Sequence, residues 1–186
     1  MFSFFSMQKL KKGFFAAFVF VLLTGFLIGC DSNQGTAAGE NMLPNGLLGR
    51  WVDPAFGDGY ELTRSSGTER LVEFFPDFGE PGDVNFVPGS INEGIIRHVI
   101  VLTNTAGIII IEHTGNNIPN PSLPFGAVSY RNLTAASVEM ATAWELSAVP
   151  MVRALAANLD EAKEKFTADT ILNYIGFWGG PYVREN

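Results

Sequence analysis

The chain is poor in the residues that announce a chemistry. Of its 186 residues one is cysteine, Cys30, and two are histidines, His98 and His113. A single cysteine excludes an intramolecular disulfide and a thiolate metal cluster, so a folded domain here is held by its core alone. No serine sits in a G-x-S-x-G setting, which removes the nucleophile elbow of one large class of hydrolases. There is no internal repeat and no long run of like charge. Basic residues are scarce: 12 Lys and Arg face 19 Asp and Glu, for a net charge of −7. No apolar run reaches the roughly 20 residues that a spanning helix needs.

What is present is unevenly placed. Residues 1–12 contain Lys9, Lys11 and Lys12 and no acid, and the 17 residues 13–29 carry no charge. A basic start, an apolar run and small residues before a cut form the secretory pattern. The basic end stays on the cytosolic side while the apolar run enters the bilayer. The run ends in Leu27-Ile28-Gly29-Cys30, which resembles the bacterial lipobox. That resemblance implies a diacylglyceryl group on the Cys30 thiol, cleavage ahead of Cys30, and often acylation of the new amine. Each buried methylene contributes about 0.8 kcal/mol, so one acyl chain holds loosely and two or three hold firmly. The expectation is a signal peptide over 1–29 and a lipid on Cys30 as the link to a membrane. The mature domain then belongs in the cell envelope, outside the cytoplasm, on the inner or the outer membrane. Asp31, next after the cysteine, resembles the inner-membrane retention signal of enterobacterial lipoproteins.

Cleavage would change the charge. Losing Lys9, Lys11 and Lys12 leaves nine cations against 19 anions, a net −10 for residues 30–186. Such a surface repels nucleic-acid phosphate and anionic headgroups, so neither nucleic acid nor a basic membrane patch is an expected partner. Residues 30–46 follow as the lipidated cysteine and a polar, Gly-rich tether, and the folded domain is expected over 47–186.

From Leu47 to about Trp144 the pattern is one of strands and turns. Candidate strands lie at 48–52, 60–64, 70–75, 90–103, 108–113, 127–131 and 137–144. In 90–103, Ile91, Ile95, Val99 and Val101 fall on alternating positions, and the turn Asn104-Thr105-Ala106-Gly107 into four isoleucines is a strong hairpin signal. The tail changes period. Val149, Val152, Leu155, Leu159, Ala162 and Phe166 recur every three or four residues, as one helical face requires. Pro150 suits a first helical turn, and Asn158 with Glu161 reads as a cap and its return partner. Two short helices with a break at Asn158 are expected, with a Glu161–Lys165 pair one turn apart. Beyond Asp169 the chain reads as irregular or short-stranded.

Many short strands followed by helices point to a closed or nearly closed antiparallel barrel. Gly49-Arg50-Trp51 at the first strand resembles the G-x-W signature of lipocalins and lipocalin-like proteins. That implies a tryptophan closing one end of the barrel, with Gly49 allowing close backbone approach. The run 47–186 also resembles a group of small spirochaete lipoproteins. Its features are the G-x-W start, a hydrophobic hairpin (94–112), the segment Tyr130-Arg131-Asn132-Leu133-Thr134, a short helix (158–166) and a tail carrying Tyr182. That group brings no established activity. The expected fold is mainly β, an antiparallel lipocalin-like barrel with short C-terminal helices.

Candidate chemistry is thin. Asp77-Phe78-Gly79 spells a kinase triplet without any other kinase part and reads as a turn. Asp77, Glu80 and Asp83 share one loop, but their spacing does not match an EF-hand, and a solvated acidic loop is expected. His98 and His113 could face one another across the hairpin near Glu112, yet no third ligand is evident, so no metal is expected. Asn132-Leu133-Thr134 matches a glycosylation sequon that a bacterial lipoprotein has no machinery to read. Trp51, Tyr60, Phe74, Phe86, Tyr130 and Trp144 are the candidates to line a barrel interior, which either fills with side chains or leaves a pocket for one apolar ligand. The loops 53–59 and 116–124 are where a ligand or partner would be met. The expected function is non-catalytic: binding a small apolar ligand, or an envelope or host protein, without a cofactor. An envelope structural or surface-antigen role is the alternative, and an enzyme the third.

Overall fold

Alternating apolar and polar residues build the strands β1 (Gly49–Val52), β2 (Gly59–Ser65), β3 (Thr68–Phe75), β4 (Ser90–Thr103), β5 (Ala106–Thr114), β6 (Phe125–Arg131) and β7 (Ser137–Thr142), with unbroken apolar runs in place of the alternation in β5 and β6. A small hairpin, β8 (Trp144–Glu145) with β9 (Val152–Arg153), precedes the helix α1 (Leu159–Lys165) and the last strand, β10 (Gly179–Glu185). The computed structural model describes residues 42–77, 89–115 and 118–185, all within the compact unit Ala38–Asn186. β1 to β7 are antiparallel neighbours in sequence order, and β10 pairs with both β7 and β1, closing an eight-stranded barrel. The fold is the mainly β, lipocalin-like antiparallel barrel that the strand pattern predicts. Of the two expectations for the tail past Asp169, the strand is the one seen: Val183 pairs with Val52 and Ser137, so the tail supplies the closing strand.

The isoleucine run explains where the cores sit. Ile109 and Ile111 point into the barrel with Leu62, Leu71, Ile96, Val99, Val128 and Met140. Ile108 and Ile110 point outward, where Ala162 of α1 and Phe166 just after it cover them. A strand buried on both faces has no polar alternation to show, hence four consecutive isoleucines. Elsewhere the outer face carries ion pairs, Arg97–Glu112 at 2.6 Å, Arg131–Glu139 at 2.7 Å and Arg50–Glu185 at 2.8 Å. Their side chains are 26–57% exposed, and charges on a lipid-facing barrel wall are destabilising.

Several local expectations are corrected. The turn between β4 and β5 is the pair Asn104-Thr105, with Gly107 already in the ladder opposite Val101. A register shift between Ile96 and His98 resets the parity of β4, so Gly94, Ile96 and Val99 are buried while Ile91 is 57% exposed. Residues 149–157 do not form a first helix; they hold β9 and the bridge from Ala156 to Phe125. The three-to-four spacing of Val149, Val152 and Leu155 marks no buried face: Val149 and Val152 are exposed, and the residues that pack against β5 and β6 are Ala154 and Ala156. Asn158 does cap α1, accepting from Glu161 N at 2.9 Å, and Glu161 returns the bond to Ala157 N at 3.0 Å. Lys165 bonds Glu145 Oε1 at 2.7 Å and Leu155 O at 2.9 Å rather than pairing with Glu161.

The domain also begins earlier than Leu47. Leu43 is buried in the barrel core. Its N–H donates to Glu69 Oε2 at 3.0 Å, and its carbonyl accepts from Arg64 at 2.8 Å. Arg64 in turn bonds Glu69 at 2.6 Å and Asn45 Oδ1 at 2.8 Å. The polar composition around Leu43 concealed one apolar plug. A chain that starts at Leu47 loses the burial of one leucine, about 1.5–3 kcal/mol, and leaves Glu69 short of a donor. Its melting temperature should fall by roughly 5–10 °C relative to a chain starting at Asp31, at the few degrees per kcal/mol typical of such domains. Equal melting curves would show that the Leu43 contacts contribute nothing.

Candidate functional site

The barrel has two chemically different ends, and β3 spans both. Glu69, Leu71 and Glu73 share its inner face. Glu69 sits with Leu43 and Arg64 at one end, and Glu73 lies four residues, about 13 Å of strand, further along. Across the Glu73 end, β2 brings Tyr60, β4 Asn92, β5 His113 and β7 Thr142. Thr142 Oγ1 donates to Glu73 Oε1 at 2.9 Å and Tyr60 reaches the same oxygen at 3.4 Å. Asn92 Nδ2 donates to Glu73 Oε2 at 3.3 Å, and Arg153 of β9 forms an ion pair with that oxygen. Both partners of the pair are about nine-tenths buried, with side-chain exposures of 10% for Arg153 and 7% for Glu73. The β8–β9 hairpin therefore lies over the barrel mouth and sends one cation inward.

Two hollows meet at that ion pair. A cavity of about 90 Å³ is lined by Asp58, Tyr60, Glu73, Thr142, Trp144 and Tyr182, among others. An outer cleft of about 660 Å³ is lined by Asn92, Asn120, Leu123, Arg153, Leu155 and Lys165, among others. Pro119, Asn120 and Leu123 come from the loop 116–124, and Asp58 and Gly59 from the loop 53–59. The two loops singled out in the sequence thus border the two hollows.

The electrostatics follow from burial. Desolvation raises the Tyr60 hydroxyl well above its ordinary value, and the Glu73 charge adds to it. Tyr182 is raised by the same causes, burial first and then the charges of Asp58, Asp53 and Glu73. His113 is pushed down to about 4, by burial and then by the Arg153 charge, with Glu73 opposing. A histidine that is neutral in the fold but charges when unfolded weakens the fold in acid. Above about pH 6.5 it exacts nothing; between 6.5 and 4 the unfolded chain alone takes the proton. The His113 contribution at pH 5 should be a loss of about 2 kcal/mol relative to pH 7, at about 1.4 kcal/mol per pH unit. Unfolding free energies of the native chain and of His113→Gln at the two pH values check this, and identical pH slopes would refute it.

The expected interior aromatics divide. Trp51, Tyr60 and Tyr130 are buried in the barrel core. Phe74 does not line the interior. It follows inward-facing Glu73, so strand parity turns it out, where Arg50 lies 4.3 Å from its ring centroid. Trp144 is outside the barrel ladder, in β8 at the mouth, and lines the small cavity. Phe86 and Cys30 lie outside the described residues, as do Phe78, Gly79, Glu80 and Asp83; Asp77 accepts from Gly89 N at 2.6 Å. His98 and His113 do not face each other, because His98 pairs with Ile110 while His113 pairs with Gly94. Among the described residues no group of three His, Cys, Asp or Glu could hold a metal. The sequon residues belong to structure: Leu133 is buried and Asn132 donates to Glu139 at 2.8 Å.

Glu73, Asn92, Thr142 and Arg153 were not legible as a site. The nearest thing to a signal was the pair of acids Glu69 and Glu73, four residues apart in β3. No family model matches the chain, and neither a curated protein nor a solved structure is significantly similar to it.

Proposed function

We propose that this chain is an exported envelope lipoprotein, anchored through Cys30, whose barrel is a non-catalytic binding module that meets a small ligand at its mouth. The observation that carries the reading is the pair of hollows at the Glu73–Arg153 contact, bordered by two loops and lined by both apolar and polar groups. Ligand sites combine such apolar walls with a few placed polar groups. Among the described residues the barrel's centre is packed with buried side chains, so the proposed ligand lies at the rim rather than at the centre. The water-facing ion pairs on the outer wall and the lipobox at residues 27–30 support a tethered domain rather than a spanning one.

Mass spectrometry of the mature protein, purified from its membrane, tests both halves. The expected result is a diacylated or triacylated N-terminal Cys30 and a retained small molecule released on denaturation. An unlipidated chain still carrying residues 1–29 would sink the anchoring half; a ligand-free protein that gains no thermal stability from membrane or periplasmic extract would sink the binding half. In the same cells Cys30→Ala should abolish metabolic palmitate labelling and leave the precursor uncut, whereas labelling at the native level would refute lipidation at that residue.

A protein partner is the second reading, and one feature favours it. The β8–β9 tip exposes Val149 by 97%, Met151 by 52% and Val152 by 50%. Clustered apolar side chains on a loop tip are typical of an interaction surface.

A further inference from the structure

The buried carboxylate of Glu73 is held in an unusual way. Its Oε1 is occupied by Thr142 and Tyr60, two neutral hydroxyls from the barrel wall. Its Oε2 has Asn92 at 3.3 Å and otherwise depends on Arg153, which belongs to a two-by-two-residue hairpin outside the barrel. Such a small ladder is marginal by itself, so the cation on Oε2 sits on the least secure element near the site. Arg153 also lies 5.3 Å from the Trp144 ring centroid, a cation–aromatic contact. The charged residues that line the adjoining cavity are both acids, Asp58 and Glu73. Asp58 Oδ1 is buried there without a hydrogen-bond partner. The cavity of about 90 Å³ is several times the roughly 10–15 Å³ that one water needs.

We propose that the Glu73 end of the barrel is a site for a small organic cation, a primary amine or guanidinium on a short apolar body, and that Arg153 occupies it as a built-in surrogate. The inference rests on the binding-module reading and gives it a ligand class. The cationic head replaces Arg153 on Glu73 Oε2 and is in reach of the same Trp144 face. The apolar body lies against Trp144, Tyr182, Phe75 and Phe177, which line the cavity. Displaced Arg153 regains water in the outer cleft, so one buried ion pair is exchanged for another. Because the native chain spends most of its time self-occupied, its apparent affinity is lowered by the fraction of open molecules.

Benzylamine, benzyl alcohol and benzoate, titrated calorimetrically into the mature full-length protein, separate charge from shape. Arg153→Met keeps an apolar chain over Trp144 and removes the surrogate; it should bind benzylamine at least about tenfold tighter than the native protein. Benzyl alcohol should bind at least tenfold more weakly and benzoate not at all, and adding Glu73→Gln should abolish benzylamine binding. If Arg153→Met does not fold, Arg153→Lys takes its place, with an intermediate gain. Binding of benzyl alcohol or benzoate as tightly as benzylamine would overturn the cation assignment while leaving a ligand-binding mouth in place. No binding of any probe to the variant, or benzylamine binding that survives Glu73→Gln, would also overturn it, and the retained-ligand measurement then judges the broader reading alone.

Discussion

Trp51→Ala is expected to destabilise the domain by about 3–5 kcal/mol, the range for removing a large buried aromatic. Trp51 has no exposed surface, and three elements converge on it. Its indole N–H donates to Leu47 O at 2.8 Å in the turn that precedes β1. Arg184 of β10 stacks its guanidinium 4.4 Å from the ring centroid and donates to Gly46 O. Trp51 also pairs with Tyr60 of β2 on one side and Arg184 on the other. The side chain therefore joins the first strand, the last strand and the entering segment, which is where the barrel closes. Alanine would leave a cavity, strand a carbonyl at Leu47 and deprive the Arg184 cation of its ring. Against a global stability near 5–15 kcal/mol, a loss of that size should strongly lower the midpoint of chemical denaturation. A change within about 0.5 kcal/mol, the scale of a surface substitution, would remove Trp51 as the closure.

The G-x-W reading placed this residue correctly but gave one wrong reason. A side chain at Gly49 would meet Arg184 only at 3.8 Å, an ordinary contact, whereas its φ of +129° is a conformation other residues rarely adopt. Glycine is needed there for the backbone, not for space.

That split runs through the molecule. Strands are legible where one face is apolar and the other is not, as in Tyr60-Glu61-Leu62-Thr63, and where β-branched residues run on unbroken. The hairpin of β4 with β5 was visible for that reason. Parity fails where the inner face carries acids. In β3 the inward set is Glu69, Leu71 and Glu73, so a reading that seeks apolar residues selects Phe74, on the wrong side. The inward acids are held by two arginines that no strand period marks: Arg64 on the preceding strand, five residues from Glu69, and Arg153, 80 residues from Glu73. Long-range charge pairing leaves no period in the sequence. The same holds after β9, where Ala154 and Ala156 bridge by their backbone to Ala143 and Phe125 while the neighbouring Val149, Val152 and Leu155 copy a helical spacing. The N-cap of α1 was readable because its partners lie within four residues of one another.

Removing one member of the Glu73–Arg153 pair should be the costliest change at the mouth. Breaking a buried ion pair costs about 3–5 kcal/mol, since the remaining charge stays buried without its partner. Arg153→Met should fall near the lower end, about 3 kcal/mol, because Thr142, Tyr60 and Asn92 still donate to the Glu73 carboxylate. The loss should also release the β8–β9 hairpin, which is otherwise secured by Ala154 N to Ala143 O at 3.0 Å and by Lys165 on Glu145. Amide exchange in residues 144–153 should then accelerate more than in the barrel strands. Glu73→Leu with Arg153→Met tests whether the cost is the orphaned charge. A buried pair replaced by apolar residues is often neutral or stabilising, so the double variant should recover most of what Arg153→Met loses. Chemical denaturation of the native chain, both single variants and the double variant closes the cycle. Additive losses, with no recovery in the double variant, would mean that the two residues pack independently. The mouth would then be held by its backbone bridges, and Arg153 would be no more than a side chain lying over a tryptophan.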